Sequence, residues 1–131
     1  MALEECENYF LKPEAFVEGE TFYSTGVKRI PSETSQKIIL AYNLDTQSFA
    51  WKYPQVGNAR SSGGTMTTTG GLVFFGDDAE SFEAVDAQSG KPLWHFNTGQ
   101  EFGASPMSYA VEGKQYVAIA AGGDVFSFSL P

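Results

Sequence analysis

From Lys37 onward the chain is a series of short segments in which apolar and polar residues alternate, separated by turns rich in glycine and small polar residues. A period of two puts alternate side chains on opposite faces of an extended strand, so each segment predicts a β-strand. Thr65 to Thr69 and Leu72 to Gly76 flank Gly70-Gly71, which predicts a two-residue hairpin turn with positive φ at both glycines. Ser81 to Asp86 and Pro92 to Asn97 add two more strands, making one four-stranded antiparallel unit over 65–97. Ser105 to Val111 and Gln115 to Ala121, joined around Glu112-Gly113-Lys114, begin another unit, and Val125 to Leu130 is its third strand. Upstream, Lys37 to Leu44 and Phe49 to Tyr53 predict the last two strands of an earlier unit, with Ala15 to Glu18 and Thr21 to Ser24 as candidate first strands. Gly26 to Gln36, which contains Pro31, predicts an extended loop.

Two of these segments repeat. Ala41-Tyr42-Asn43-Leu44-Asp45 through Trp51-Lys52-Tyr53 aligns with Phe82-Glu83-Ala84-Val85-Asp86 through Trp94-His95-Phe96. Matched this way, Asp45 and Asp86 lie 41 residues apart and Trp51 and Trp94 lie 43 apart, so the second copy carries two extra residues in its turn. A partial third copy, Phe126-Ser127-Phe128-Ser129, falls 44 residues after Phe82-Glu83-Ala84-Val85. Repeats of roughly 40–45 residues with four short strands point to β-propeller blades. The predicted fold is therefore all-β, a partial β-propeller of about two to three four-stranded antiparallel blades. The predicted layout is an unassigned segment over 1–36 and blades over 37–131, with a complete blade at about 65–97 and an incomplete one at about 104–131. Because a blade buries both faces against its neighbours, a short open array leaves two apolar faces uncovered and should associate, with further blades of a parent chain or with copies of itself.

Composition narrows the function. The 131 residues suit a single domain, and eleven Phe, six Tyr and two Trp beside fourteen Gly and six Pro favour aromatic-rich strands and tight turns. A formal charge of −8 repels phosphate backbones and anionic membranes, which argues against a nucleic-acid partner. Apolar runs such as Tyr116 to Ala121 are too short to insert in a bilayer as a helix. Cys6 is the single cysteine, so no disulfide forms within the chain. The acidic start, Met1-Ala2-Leu3-Glu4-Glu5-Cys6-Glu7, lacks the features of a secretory signal, leaving a cytoplasmic protein or a piece whose signal lies elsewhere.

Ala84-Val85-Asp86-Ala87-Gln88-Ser89-Gly90-Lys91-Pro92-Leu93-Trp94 resembles the tryptophan-docking motif of quinoprotein propellers. In that family Asp and the small hydroxyl residue hold the turn, Gly supplies a positive φ, and Trp packs between adjacent blades, where its large flat ring suits a seam. The resemblance implies docking roles for Ala84, Asp86, Ser89, Gly90 and Trp94, and for Asp45 and Trp51 in the earlier copy, which departs from the motif at Asn43 and Phe49. Gly63 through Gly76, Gly103 through Tyr109 and Gly113 through Gly123 look like the closing blades of the pyrroloquinoline quinone (PQQ)-dependent alcohol dehydrogenases. Membership would imply a calcium-bound quinone at the ring axis, a catalytic aspartate, oxidation of a primary alcohol and a periplasmic location. The family's metal ligands and catalytic aspartate have no counterpart here. Two further departures are Ala79-Glu80, in place of the usual Asp-Gly, and Gly122-Gly123, which lacks a following tryptophan.

No catalytic or metal-ligating residue stands out. His95 is the only histidine, on a predicted outer strand, so a multi-histidine site within one chain is impossible. Gly103-Ala104-Ser105-Pro106-Met107 lacks the second glycine of a nucleophile elbow. Asp77-Asp78 falls short of the six to eight oxygens calcium takes and predicts a solvated turn. The glycine pairs 63-64, 70-71 and 122-123 precede no helical pattern and predict turns rather than phosphate cradles. Arg60, Ser61, Ser62, Glu101, Phe102 and Gly103, ahead of the predicted inner strands, are the candidate cofactor contacts. Two functions follow as expectations: a piece of a PQQ-dependent alcohol dehydrogenase whose blades close the ring and wall the quinone pocket, or a non-catalytic propeller-repeat scaffold that self-associates or binds a protein partner. A third is a symmetric ring of several copies around a rebuilt axial pocket.

Overall fold

The computed structural model describes residues 18–19, 37–57 and 62–129. The chain divides into two compact units, Leu3–Ser35 and a second made of Met1–Ala2 with Gln36–Pro131, and every strand below lies in the second. The described residues form nine strands and no helix: β1 (Ile38–Asn43), β2 (Ser48–Pro54), β3 (Thr65–Thr67), β4 (Leu72–Gly76), β5 (Ser81–Asp86), β6 (Pro92–Asn97), β7 (Met107–Val111), β8 (Lys114–Ala121) and β9 (Asp124–Ser129). They pair antiparallel in chain order into sheet 1 (β1-β2), sheet 2 (β3-β4-β5-β6) and sheet 3 (β7-β8-β9). The predicted strands at 15–18 and 21–24 lie outside the described residues except Glu18, which with Gly19 forms a turn.

Local chemistry moves some boundaries. The β3–β4 connection is a four-residue turn rather than a two-residue one. Gly71 N–H donates to Thr68 O, Thr68 N–H to Leu72 O and Leu72 N–H to Thr68 Oγ1, and only Gly71 of the glycine pair has a positive φ. Strand β7 begins after Pro106, which has no N–H to offer a ladder.

The strands that follow the β4-type strand in each sheet repeat at 43 residues. The same shift carries β1 onto β5 and β5 onto β9, and it carries the register break at Ala41/Tyr42 onto the one at Ala84/Val85. This corrects both sequence alignments. The counterpart of Asp86 is Asn43, not Asp45: Asp86 Oδ1 accepts from the Gln88 and Ser89 N–H groups and the Ser89 hydroxyl, and Asn43 Oδ1 accepts from the Asp45 and Thr46 N–H groups. Gln47, at φ 51, stands where Gly90 has φ 69. The two turns are therefore the same length, and no residues are inserted. Likewise the counterpart of Phe82 is Val125, not Phe126. A one-residue slip exchanges the two faces of a strand, so this difference decides which sheet each phenylalanine meets.

Sheet 2 is buried on both faces. Val73, Phe75 and Val85 pack with Ile39, Trp51, Tyr53 and Ala87 in the seam with sheet 1. Phe74, Phe82 and Ala84 pack with Phe102, Val117, Ile119 and Ala121 in the seam with sheet 3, joined by Met66, Leu72, Phe126 and Phe128. Alternation along β4 and β5 thus feeds two cores from one pair of strands.

Candidate functional site

The seam between sheets 1 and 2 is closed at one end by an indole. Trp51 Nε1–H donates to Ala87 O at 2.9 Å, and its ring lies against Gly90, where an added Cβ would stand 2.7 Å from ring atoms. With a positive φ as well, Gly90 admits no side chain without strain. The hydrogen bonds from Ser89, its hydroxyl first, hold the exposed Asp86 carboxyl below its ordinary value and brace this turn. Trp94 meets a different surface, 5.1 Å from the Phe128 ring and 6.0 Å from Phe82, centre to centre.

Charge collects at the other end of the same seam. Lys37 Nζ lies 3.2 Å from Asp78 Oδ1, with both side chains at most 10% exposed. Asp77 is buried and Asp77 Oδ1 accepts from the Ala79 and Ser81 N–H groups, while the Ser81 hydroxyl donates to Glu83 Oε1 at 2.7 Å. The Asp77-Asp78 turn is thus a buried, bonded structure rather than the solvated turn expected. Burial, then the Glu83 and Asp77 charges, push the Tyr53 hydroxyl above its ordinary value. Neither Lys37 nor Asn43 stands out in the sequence alone. Only the 43-residue spacing shared with the tryptophans marks Asn43, and nothing local marks Lys37, because its partner is 41 residues away.

Two of the candidate contact segments converge at the entries to β3 and β7. Gly64 N–H donates to Ser105 Oγ at 3.0 Å, and Gly63 backs directly onto the Ala104 carbonyl. Ser62 and Gly103 are exposed beside this crossing, and Glu101 is exposed while its carbonyl accepts from Gly122 N–H. Phe102 is 1% exposed; its ring fills the space left by Gly76 and lies near Phe82. Arg60 and Ser61 lie outside the described residues. Gln100, which the sequence did not single out, stitches the seam: its Nε2 donates to Asp124 Oδ2 and its Oε1 accepts from Gly123 N–H.

PQQ is a tricarboxylate, and its holding site needs cations and free donors. The described residues here offer the Glu101 carboxylate, one free hydroxyl at Ser62 and an apolar ring already packed in a core. This set does not fit the quinone as a holding site, and no chemical step is derived through it. Among the described residues, no three His, Cys, Asp or Glu side chains are grouped to hold a metal ion. Among them too, no helix is long and apolar enough to cross a membrane.

Antiparallel sheets repeating roughly every 40–45 residues and packed in series face to face define a partial β-propeller. Residues 34–117 match the PQQ family described as glucose/ethanol/alcohol dehydrogenase, beta-propeller domain, and the chain belongs to that family. It is 38% identical over 93 residues to the quinohemoprotein alcohol dehydrogenase ADH IIB of Pseudomonas putida, covering 71% of this chain and 13% of that protein. The solved quinohemoprotein alcohol dehydrogenase of Comamonas testosteroni superposes with a TM-score of 0.63 at 34% identity, over 70% of this chain and 14% of that one. A europium-containing methanol dehydrogenase superposes at 0.55 with 30% identity, over 61% and 14%. The chain thus spans about one-seventh of the length of the relatives it matches.

Proposed function

We propose that residues 37–131 are consecutive closing blades of a PQQ-dependent alcohol dehydrogenase-type propeller. They complete the ring and wall the quinone pocket, and the calcium ligands and the catalytic aspartate lie in other blades. The observation that carries this reading is the doubly covered sheet 2, whose seams are built from consecutive phases of one 43-residue repeat. Trp51 on Gly90 acts in it as the docking contact between blades, with Asn43 doing for its own turn what Asp86 does for the next. The convergence of Ser62–Gly64 with Gly103–Ser105 supplies a stretch of wall, with Ser62, Glu101 and Gly103 exposed there. A periplasmic location follows from the same reading.

The test is a transplant. Residues 37–131 replace the corresponding segment of the Comamonas testosteroni enzyme, and PQQ binding and oxidation of a primary alcohol are measured with calcium present. The expected result is a folded chimera that binds PQQ and turns over, while the 131-residue chain alone does neither. A folded chimera that fails to bind PQQ, or a chain that oxidises alcohol unaided, would overturn the proposal.

A further inference from the structure

Sheets 2 and 3 are not evenly spaced. At the entries to β3 and β7 they touch directly, with Gly64 N–H on Ser105 Oγ at 3.0 Å. Between β6 and β9 they are held apart by rings, Phe96 and Phe126 at 6.1 Å and Trp94 and Phe128 at 5.1 Å between centres. Sheets splayed in this way radiate from their narrow edge, so the entries to β3 and β7 lie toward the axis of a ring. The β6–β7 loop crosses from the wide edge to the narrow one.

That loop is pinned along its course. On the sheet 2 side, the Thr98 N–H and hydroxyl donate to the Glu80 carbonyl at 2.8 and 2.9 Å, and the Phe102 ring fills the space over Gly76. On the sheet 3 side, Gly122 N–H donates to the Glu101 carbonyl at 3.0 Å, Gln100 Oε1 accepts from Gly123 N–H at 3.1 Å, and Gln100 Nε2 donates to Asp124 Oδ2. Glu101 and Gly103 are exposed among these anchors, and a Cβ at Gly103 would meet nothing within 4 Å, so the loop borders open space there.

The β8–β9 turn asks for a primary amide at position 100. It presents an N–H group and a carboxylate side by side, and an amide answers both, oxygen to the first and nitrogen to the second. A carboxylate in its place would meet the N–H and repel Asp124, and an alkyl group would meet neither. Gly122, at φ 55, has no room for a Cβ against the Gln100 side chain, so turn and amide are fitted to each other.

We propose that Gln100 is a positioning residue for the alcohol: by locking the β6–β7 loop to the β8–β9 turn, it holds Glu101 and Gly103 at the edge of the pocket that receives the substrate. This role rests on the ring-closing function proposed above. Because this stretch of wall neither holds the quinone nor touches a reacting atom, loosening it weakens alcohol binding in the ground and transition states alike, which raises KM and spares kcat.

The test uses the PQQ-loaded chimera with Gln100→Ala, with Gln100→Glu, and with Gln100→Glu combined with Asp124→Asn, which restores one amide and one carboxylate in exchanged places. Each single variant is expected to raise KM for a primary alcohol roughly tenfold, with kcat and PQQ affinity within about twofold of the unaltered chimera. The double variant is expected to bring KM back to within about threefold. In the full 131-residue chain, the Gly122 amide should exchange its hydrogen roughly tenfold faster in Gln100→Ala, because the Glu101 carbonyl is no longer held against it. A lowered urea midpoint or kcat with KM unchanged, or a double variant no better than Gln100→Glu, would show a purely structural contact and overturn the assignment. Unchanged exchange at Gly122 would overturn it as well. An unaltered chimera that does not bind PQQ would overturn the proposed function and this role with it, whereas a working chimera whose variants keep its KM would overturn this role alone.

Discussion

The two seams that flank sheet 2 solve the same packing problem with different chemistry. Between sheets 2 and 3 the contact is a continuous aromatic cluster in which Phe74, Phe82, Phe102, Trp94 and Phe128 meet ring to ring. Between sheets 1 and 2 a smaller apolar core of Ile39, Val73, Phe75 and Val85 is bounded by an indole hydrogen bond at one end and by the Lys37–Asp78 pair, Asp77, Glu83 and Tyr53 at the other. Apolar burial stabilises in proportion to area and tolerates imperfect alignment. Buried charge stabilises only when every partner is in place. The first seam therefore supplies most of the cohesion, and the second also enforces one alignment of its two sheets.

The largest effect is expected from Phe82→Ala. It removes a fully buried ring that touches Phe74, Phe102, Trp94 and Phe128, and should cost roughly 3–5 kcal/mol in urea unfolding. In the polar seam, Lys37→Ala should cost about 3 kcal/mol by breaking the buried Lys37–Asp78 pair, whereas Lys37→Met combined with Asp78→Leu should cost clearly less than that single change. If the double variant is as damaged as the single, the pair contributes through packing and the contrast between the seams weakens.

A smaller effect of opposite sign is expected at Glu80, a non-glycine residue at φ 61 whose carbonyl accepts from both the Thr98 N–H and the Thr98 hydroxyl. Glu80→Gly keeps those bonds and relieves the left-handed backbone, so it should raise stability by about 0.5–1 kcal/mol after the extra freedom of the unfolded chain is offset. The smallest is a pH dependence. Burial and the neighbouring Glu83 and Asp77 charges keep Tyr53 neutral in the folded state beyond the pH at which the unfolded chain ionises. Its stabilising contribution is complete below the ordinary tyrosine pKa of 10.0 and is lost as pH rises through the higher folded value. Alkaline unfolding followed by circular dichroism should therefore show a shallower loss above that pH in Tyr53→Phe than in the unaltered chain.

Much of the fold was legible in the short apolar run Leu72 to Gly76 and in Ser81 to Asp86, because a strand between two neighbours must be apolar on both faces. The repeat was legible too, but its register was not. Matching like letters paired Asp45 with Asp86 and Phe126 with Phe82, whereas the hydrogen bonds select the side-chain oxygen that reaches two N–H groups in the turn, and the amide of Asn43 does this as well as a carboxylate. Of the candidate contacts, the sequence located the two segments that meet at Gly64 and Ser105, but it could not tell that the Phe102 ring points into a core. That direction depends on Gly76, in a strand 26 residues earlier.

The sequence by itself determined most of the strands, their antiparallel order and a repeat of roughly 40–45 residues, since these rest on apolar patterning and on turn residues that act over a few positions. Tertiary structure alone decided which face of each strand meets which sheet, that Lys37 answers Asp78, and that Phe82 meets Phe128. Those outcomes depend on pairs of residues about one repeat or more apart. Seam packing, which brings such pairs into contact, has no signature in either local segment.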